Sequence, residues 1–254
     1  MGELDFKVID EDSSWIVVEK PAHLVVHPCS DKEEPTLLGG LQALLACDLA
    51  DGSKLSILTR LDRETSGLVL VAKKRGIARE LSTQFEARSV RKEYLALVHG
   101  WPAWESFECE APILRAGEVG DSEVWVRQAV HPGGKASATD FSVEERVKWD
   151  GREFAWIRCI PKSGRMHQIR VHLEYLGYPI VGDKIYGTDG EAYLQQVRGG
   201  LTRELLEQLI LPRHALHATR LTISWKGRSL SWESGLPADL ARFSGEETVG
   251  IGHG

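Results

Sequence analysis

Five consecutive apolar residues, Leu68-Val69-Leu70-Val71-Ala72, follow a Thr65-Ser66-Gly67 turn. The run is short, continuous and rich in β-formers, which predicts a buried strand. Much of the chain is of the same kind. Residues 6–12 and 15–20 read as two short strands, the second stopped by Pro21. Residues 94–98, 123–128, 138–147 and 153–160 alternate as strands do. Residues 216–225 and 228–232 make a closing hairpin pattern around Lys226-Gly227. Helical spacing is confined to residues 36–46, 77–88 and 166–176, the last closed by Gly177, and to a helical excursion over 189–212. Strands outnumber helices and several neighbours are hairpin-linked. The expected fold is therefore α+β, on a mixed, mainly antiparallel sheet.

With 254 residues the chain is long enough to bury a sizeable core, and 42% apolar with 27% charged residues is an ordinary soluble composition. No stretch approaches the roughly 18 apolar residues of a membrane span. The first six residues are too acidic for a secretory signal. Cys29, Cys47, Cys109 and Cys159 are scattered without the close pairs of a zinc site, so they read as reduced thiols of a cytoplasmic protein. There is no internal repeat. One domain over residues 1–243 is expected, with a Gly-rich, disordered tail at 244–254.

Ahead of the buried run, Arg60-Leu61-Asp62-Arg63 sets one carboxylate between two guanidiniums. Neighbouring positive charge keeps a carboxylate ionised, and an ionised, oriented carboxylate is a nucleophile. Arg60 and Arg63 suit a phosphate-bearing substrate. Asp62 serves equally well as a turn-former. Net charge is −6, which argues mildly against a nucleic-acid binder. Yet residues 72–92 hold seven basic residues, Lys73 first, against two acidic ones. Such a block attracts phosphates locally, or is simply a solvated helix face. A second cluster lies in Ser163-Gly164-Arg165-Met166-His167-Gln168-Ile169-Arg170. Ser163 is a candidate N-cap there, and the free N–H groups of a helix start seat phosphate. His167 and Arg170 share a helix face opposite the apolar stripe. An ordinary amphipathic helix fits the same pattern.

The segment from Arg60 to Leu68 resembles the active-site motif of the RluA family of RNA pseudouridine synthases. Residues 19–28 (EKPAHLVVHP) are similar to that family's KPxGLxVHP, Lys92-Glu93-Tyr94 to its KxY, and residues 135–139 to its K-x-A-x-T strand. Residues 164–172 match GRxHQIRxH, residues 176–187 match LGxPIxGDxxYG, and Arg213 with Leu216-His217-Ala218 fits RxxLHA. These stand in the family's order over residues 8–232, nearly the whole chain.

The resemblance implies a pseudouridine synthase-like fold with flanking helices and a central catalytic cleft, residues 1–243 being the catalytic domain. It makes Asp62 the catalytic aspartate, Tyr94 the residue packing on the target base, and Arg170 the partner of the aspartate. It makes Arg60 an RNA contact and gives Asp183 and Tyr186 structural work, while Arg63, Lys73, Arg165 and His167 are expected RNA contacts from their own charge and placement. Two departures stand out. Thr59 occupies the place where the family motif usually has histidine, and no separate basic N-terminal module is expected ahead of the catalytic region.

The implied reaction breaks the N1–C1′ bond of a uridine, turns the base and joins C5 to C1′. It is an isomerisation, so no cofactor and no metal is expected, in keeping with the lack of a dinucleotide fingerprint or ligand cluster. The expected partner is RNA, a ribosomal or transfer RNA stem-loop, and the resemblance points to a monomer. Two rivals remain. Asp62 and Glu64, two apart on an extended segment, face one way and so suit a retaining glycoside hydrolase. A non-catalytic RNA-binding module would need the basic block alone.

Overall fold

The computed structural model describes residues 6–27, 34–50 and 52–244. Cys29 lies outside these, as does the expected tail from residue 245 onward. In chain order the elements are β1 (Lys7–Glu11), β2 (Trp15–Lys20), α1 (Leu37–Leu44), β3 (Ser56–Ile57), β4 (Ser66–Ala72), α2 (Arg75–Glu86) and β5 (Arg91–His99). There follow β6 (Ser106–Glu110), β7 (Ile113–Arg115), β8 (Gln128–Val130), β9 (Ala138–Trp149), β10 (Arg152–Pro161) and α3 (Gln168–Tyr175). The chain closes with α4 (Glu191–Gly199), α5 (Arg203–Leu209), β11 (Leu216–Trp225), β12 (Arg228–Glu233) and α6 (Ala238–Ala241). No described helix is long and apolar enough to cross a membrane. Two compact units emerge among the described residues, one up to residue 92 with 217–235, the other 93–216 with 236–244.

In the first unit β4 lies between β2, antiparallel, and β11, with which it makes a short parallel pairing (His217↔Ser66, Ala218↔Gly67). All seven β4 residues are buried, as the unbroken apolar run predicts. Helix α2 lays Leu81 and Ala78 on this layer, with Ile77 and Phe85 half-buried beside them. Gln84 clamps the same helix down, its amide both giving to the Ser224 carbonyl (2.7 Å) and accepting from the Ser224 N–H (3.1 Å). Trp15 meets Trp225 edge-on at 4.9 Å and Trp232 at 6.0 Å, the T-shaped geometry that ring quadrupoles favour. The β11–β12 hairpin turns on Lys226 (φ 49°) and Gly227 (φ 76°), the pair of positive φ angles of a type I′ turn.

In the second unit β10 is paired with β9 over its whole length and with β5 on its other side, both antiparallel. The β9–β10 hairpin also has two positive-φ turn residues, Asp150 and Gly151. Strand β6 extends this layer beyond β9, and β7 pairs separately with β8. The core gathers Leu97, Phe154, Ile157, Leu173, Val181 and Phe243, among others. Each side chain of this size contributes roughly 1.5–3 kcal/mol when fully buried.

Sequence periodicity misplaces two stretches. Residues 123–127 alternate without forming a strand. Only Gln128–Val130 pairs, and Trp125 stands 74% exposed with Arg115 over its ring at 3.7 Å. The helix read over 166–176 begins at Gln168, leaving Met166 exposed rather than on an apolar face.

Candidate active site

The Asp62 segment is held at three points within the first unit. At its start Thr59, only 6% exposed, accepts a hydrogen bond on Oγ1 from the Leu70 N–H at 2.8 Å. The short Thr59 hydroxyl thus ties the loop onto β4. In its middle, the fully buried Lys20 ammonium donates to the carbonyls of Pro21 (2.8 Å), Leu24 (3.0 Å) and Arg63 (3.2 Å). At its end, Ser66 Oγ lies 2.8 Å from Nδ1 of the buried His217. Between these anchors the Thr65 N–H bonds the Asp62 carbonyl at 3.1 Å, closing a tight turn.

Asp62 is half-buried in this turn, with Arg60 and Arg63 exposed on either side of it. Arg63 approaches Glu34 at 3.7 Å, an exposed pair worth little. Because residues 62–65 turn rather than extend, the same-face argument for Asp62 and Glu64 fails, and with it the case for a glycosidase pair. Lys73 is not a surface cation either. It is buried, and its ammonium gives hydrogen bonds to Glu11 and to Asp48 (2.8 Å). Burial opposes its charge, but the two carboxylates more than offset this and hold its pKa above the ordinary lysine value. Of the other basic residues of that block, Lys74, Arg75, Arg79, Arg88 and Arg91 are exposed and Lys92 is half-buried.

In the second unit, helix α3 departs from the amphipathic reading. Every residue from Gln168 to Leu173 is buried, including Arg170 at 5% exposure. The Arg170 fork is directed onto Asp183, with Nε to Oδ2 at 2.7 Å and Nη2 to Oδ1 at 2.9 Å. Asp183 Oδ1 also accepts the N–H groups of Ile185 (3.0 Å) and Tyr186 (3.1 Å). The guanidinium lies over the Tyr186 ring at 5.0 Å. Planar bidentate geometry with a fully satisfied carboxylate is what makes a buried arginine tolerable.

Ser163 does not cap the helix. That position belongs to His167, in the left-handed region (φ 55°), while Ser163 Oγ donates to Gln168 Oε1 at 2.7 Å. The Gln168 side chain in turn donates to Ala138 O (2.8 Å) and Thr139 Oγ1 (2.9 Å), tying the turn down onto β9. His167 Nδ1 meets the Tyr186 hydroxyl at 2.9 Å, and that hydroxyl also accepts the Gln128 N–H. Arg165 is exposed, its guanidinium near the Ala136 carbonyl at 3.3 Å. His214 is buried too. Burial, with the charges of Arg170, Arg213, His167 and Lys184, holds its pKa well below the ordinary histidine range, so it is a neutral ring. Tyr94 stands half-buried on β5 opposite Cys159.

Sequence reading assigned no role to Lys20, Ser66, Ser234 or His217. One signal was present: Lys20 ends the apolar run of β2 just before a proline, a poor place for a solvated ammonium. The contacts of Ser66, Ser234 and His217 arise from chain distant in sequence, and nothing local announces them.

The sequence profile of the RNA pseudouridylate synthase family matches residues 14–175. The chain is 35% identical over 240 residues to ribosomal large subunit pseudouridine synthase D of Pseudomonas aeruginosa, covering 94% of this chain and 70% of that one. To synthase C of Pasteurella multocida it is 39% identical over 209 residues, covering 81% and 59%. It thus spans roughly three-fifths to seven-tenths of these relatives' lengths. In fold it is similar to human RNA pseudouridylate synthase domain containing 4 (TM-score 0.71, 22% identity, 93% and 90% covered) and domain containing 1 (0.70, 24%, 93% and 86%). The fold, the ordered motifs and these likenesses lead to one conclusion: the chain belongs to the RNA pseudouridylate synthase family.

Proposed function

We propose that this chain isomerises uridine to pseudouridine in large-subunit ribosomal RNA, with Asp62 as the catalytic aspartate. In the reaction the N1–C1′ bond breaks and a C5–C1′ bond forms. The C5 proton passes to water, and N1 gains a proton. The observation that carries the reading is the Asp62 turn, a half-buried carboxylate between two exposed arginines on a loop tied at its start, middle and end. Positional control of this kind is what a reacting group needs, since small misplacement costs large factors in rate. The ribosomal substrate rests on the names of the bacterial relatives.

In this proposal Tyr94 packs on the target base, and Arg170 supports the aspartate's charge. Arg60, Arg63, Arg165 and His167 meet the RNA, whereas Lys73, committed to two carboxylates, is left out of that set. Drawing a uridine from its stack costs a few kcal/mol, and base–aromatic stacking returns about 1–3. Tritium release from C5-labelled large-subunit transcripts tests the proposal. Wild type should release tritium, and Asp62→Asn should release none while still binding RNA. Turnover by Asp62→Asn would overturn the assignment, and wild-type protein that binds without release would be a binding module instead.

A further inference from the structure

A chain of buried and part-buried hydrogen bonds runs up to the Asp62 turn. Ser234 Oγ donates to Glu19 Oε2 at 2.7 Å. A hydroxyl has one proton, so the Ser234 oxygen must accept from its other neighbour, His217 Nε2, at 3.0 Å. Nε2 therefore carries a proton, and in the neutral ring Nδ1 is left as the acceptor. Nδ1 takes the Ser66 hydroxyl proton at 2.8 Å. His217 is fully buried, with Ser66 and Ser234 at 3% and 7% exposure. Ser66 is the first residue of β4 and directly follows the turn that carries Asp62.

The backbone at this place is equally constrained. Gly67 (φ 113°) packs so closely on β11 that a Cβ there would sit 2.3 Å from the Ala218 carbonyl oxygen. The β4–β11 pairing is only two residues long, Ser66 and Gly67 against His217 and Ala218. Backbone pairing this short leaves much of the register to the side chains.

We propose that Glu19, Ser234, His217 and Ser66 form a positioning relay, in which a carboxylate and a hydroxyl fix one tautomer of a buried imidazole so that it holds the β4 end of the Asp62 turn. None of the four is a catalytic residue; they act through the placement of the loop. The inference rests on the reading of Asp62 given above.

The test is single-turnover and steady-state tritium release, with melting and RNA binding measured beside it. Ser66→Ala should lower kcat on the order of 10–100-fold with KM and RNA affinity unchanged and the protein still folded. His217→Asn, whose Oδ1 falls near the place of Nδ1 and accepts the Ser66 proton, should retain most of the rate. His217→Leu should not, and combined with Ser66→Ala it should be no worse than either alone. The relay is overturned by an unchanged kcat in Ser66→Ala, by equal rates for the Asn and Leu variants, or by additive losses. Should His217→Leu fail to fold, Ser66→Ala and Ser234→Ala decide the matter, since each removes one hydroxyl. An inactive Asp62→Asn beside a fully active Ser66→Ala sinks the relay alone. An active Asp62→Asn sinks the reading beneath it.

Discussion

Replacing Asp183 by asparagine isolates the charge in the Arg170–Asp183 pair. The amide is nearly isosteric, and its oxygen still accepts the N–H groups of Ile185 and Tyr186 that Asp183 Oδ1 accepts now. What disappears is Asp183's counter-charge to a guanidinium that is 5% exposed. An amide NH2 also comes to face the Arg170 Nε–H, now 2.7 Å from the Oδ2 oxygen. Removing one partner of a buried pair typically costs 3–5 kcal/mol, because the other charge stays behind. That is a large part of the 5–15 kcal/mol that holds a native protein together. At roughly 2–4 °C per kcal/mol for chains of about this length, Tm should fall by about 6–20 °C in thermal melts followed by circular dichroism. Arg170→Gln made in the Asp183→Asn background should recover part of the loss, with a coupling energy of roughly 1–3 kcal/mol between the two sites. A drop in Tm of under about 2 °C, or strictly additive effects, would show that the pair is not the buried anchor of α3 described above.

Gly67→Ala should be badly tolerated, since the added Cβ meets the Ala218 backbone at 2.3 Å and the residue has φ 113°; a loss of at least about 2 kcal/mol in urea unfolding is expected, and wild-type stability would contradict the close approach. Tyr94→Phe should keep most of the tritium-release rate, whereas Tyr94→Ala should lose about 5–150-fold, the equivalent of 1–3 kcal/mol of stacking; equal losses in both would point to the hydroxyl instead. Stability should decline as pH falls below about 6.5. Burial lowers the pKa of His99, aided by Arg152, and of His172, and it lowers His214 most of all. In that window the unfolded chain takes up protons that the folded chain refuses, so each ring contributes a slope of up to about 1.4 kcal/mol per pH unit. Melting between pH 7.5 and 5 checks this, and a flat profile would show that the rings are not held neutral.

Periodicity made the strand content legible because most strands here carry their own signal. The apolar run of β4, the alternating β9 and β10, and the Lys226-Gly227 turn each announce themselves within a few residues. Residues 123–127 misled because Trp125, an apolar residue by type, is held outside by Arg115 rather than buried in a sheet. Helix α3 misled in the opposite sense. Its arginine and glutamine look like a wet face, but Asp183, Ala138 and Thr139 supply the partners that allow them inside, and only tertiary structure brings those partners up. The Asp62 segment was conspicuous by its charges, whereas its supports were not. Lys20 and His217 lie 43 and 151 residues from Arg63 and Ser66, the residues they hold.

That last separation bears on biogenesis. The first unit is discontinuous, and its closing strands β11 and β12 come after residue 215. Joining Ser66 to His217 means closing a 151-residue loop, an entropic toll of about 4 kcal/mol by chain statistics, and pairings so remote along the chain are slow to form. During translation the support of the Asp62 turn must stay incomplete until His217 has left the ribosome. Nascent fragments ending before His217 should therefore be inert, however much of the preceding fold they have already acquired.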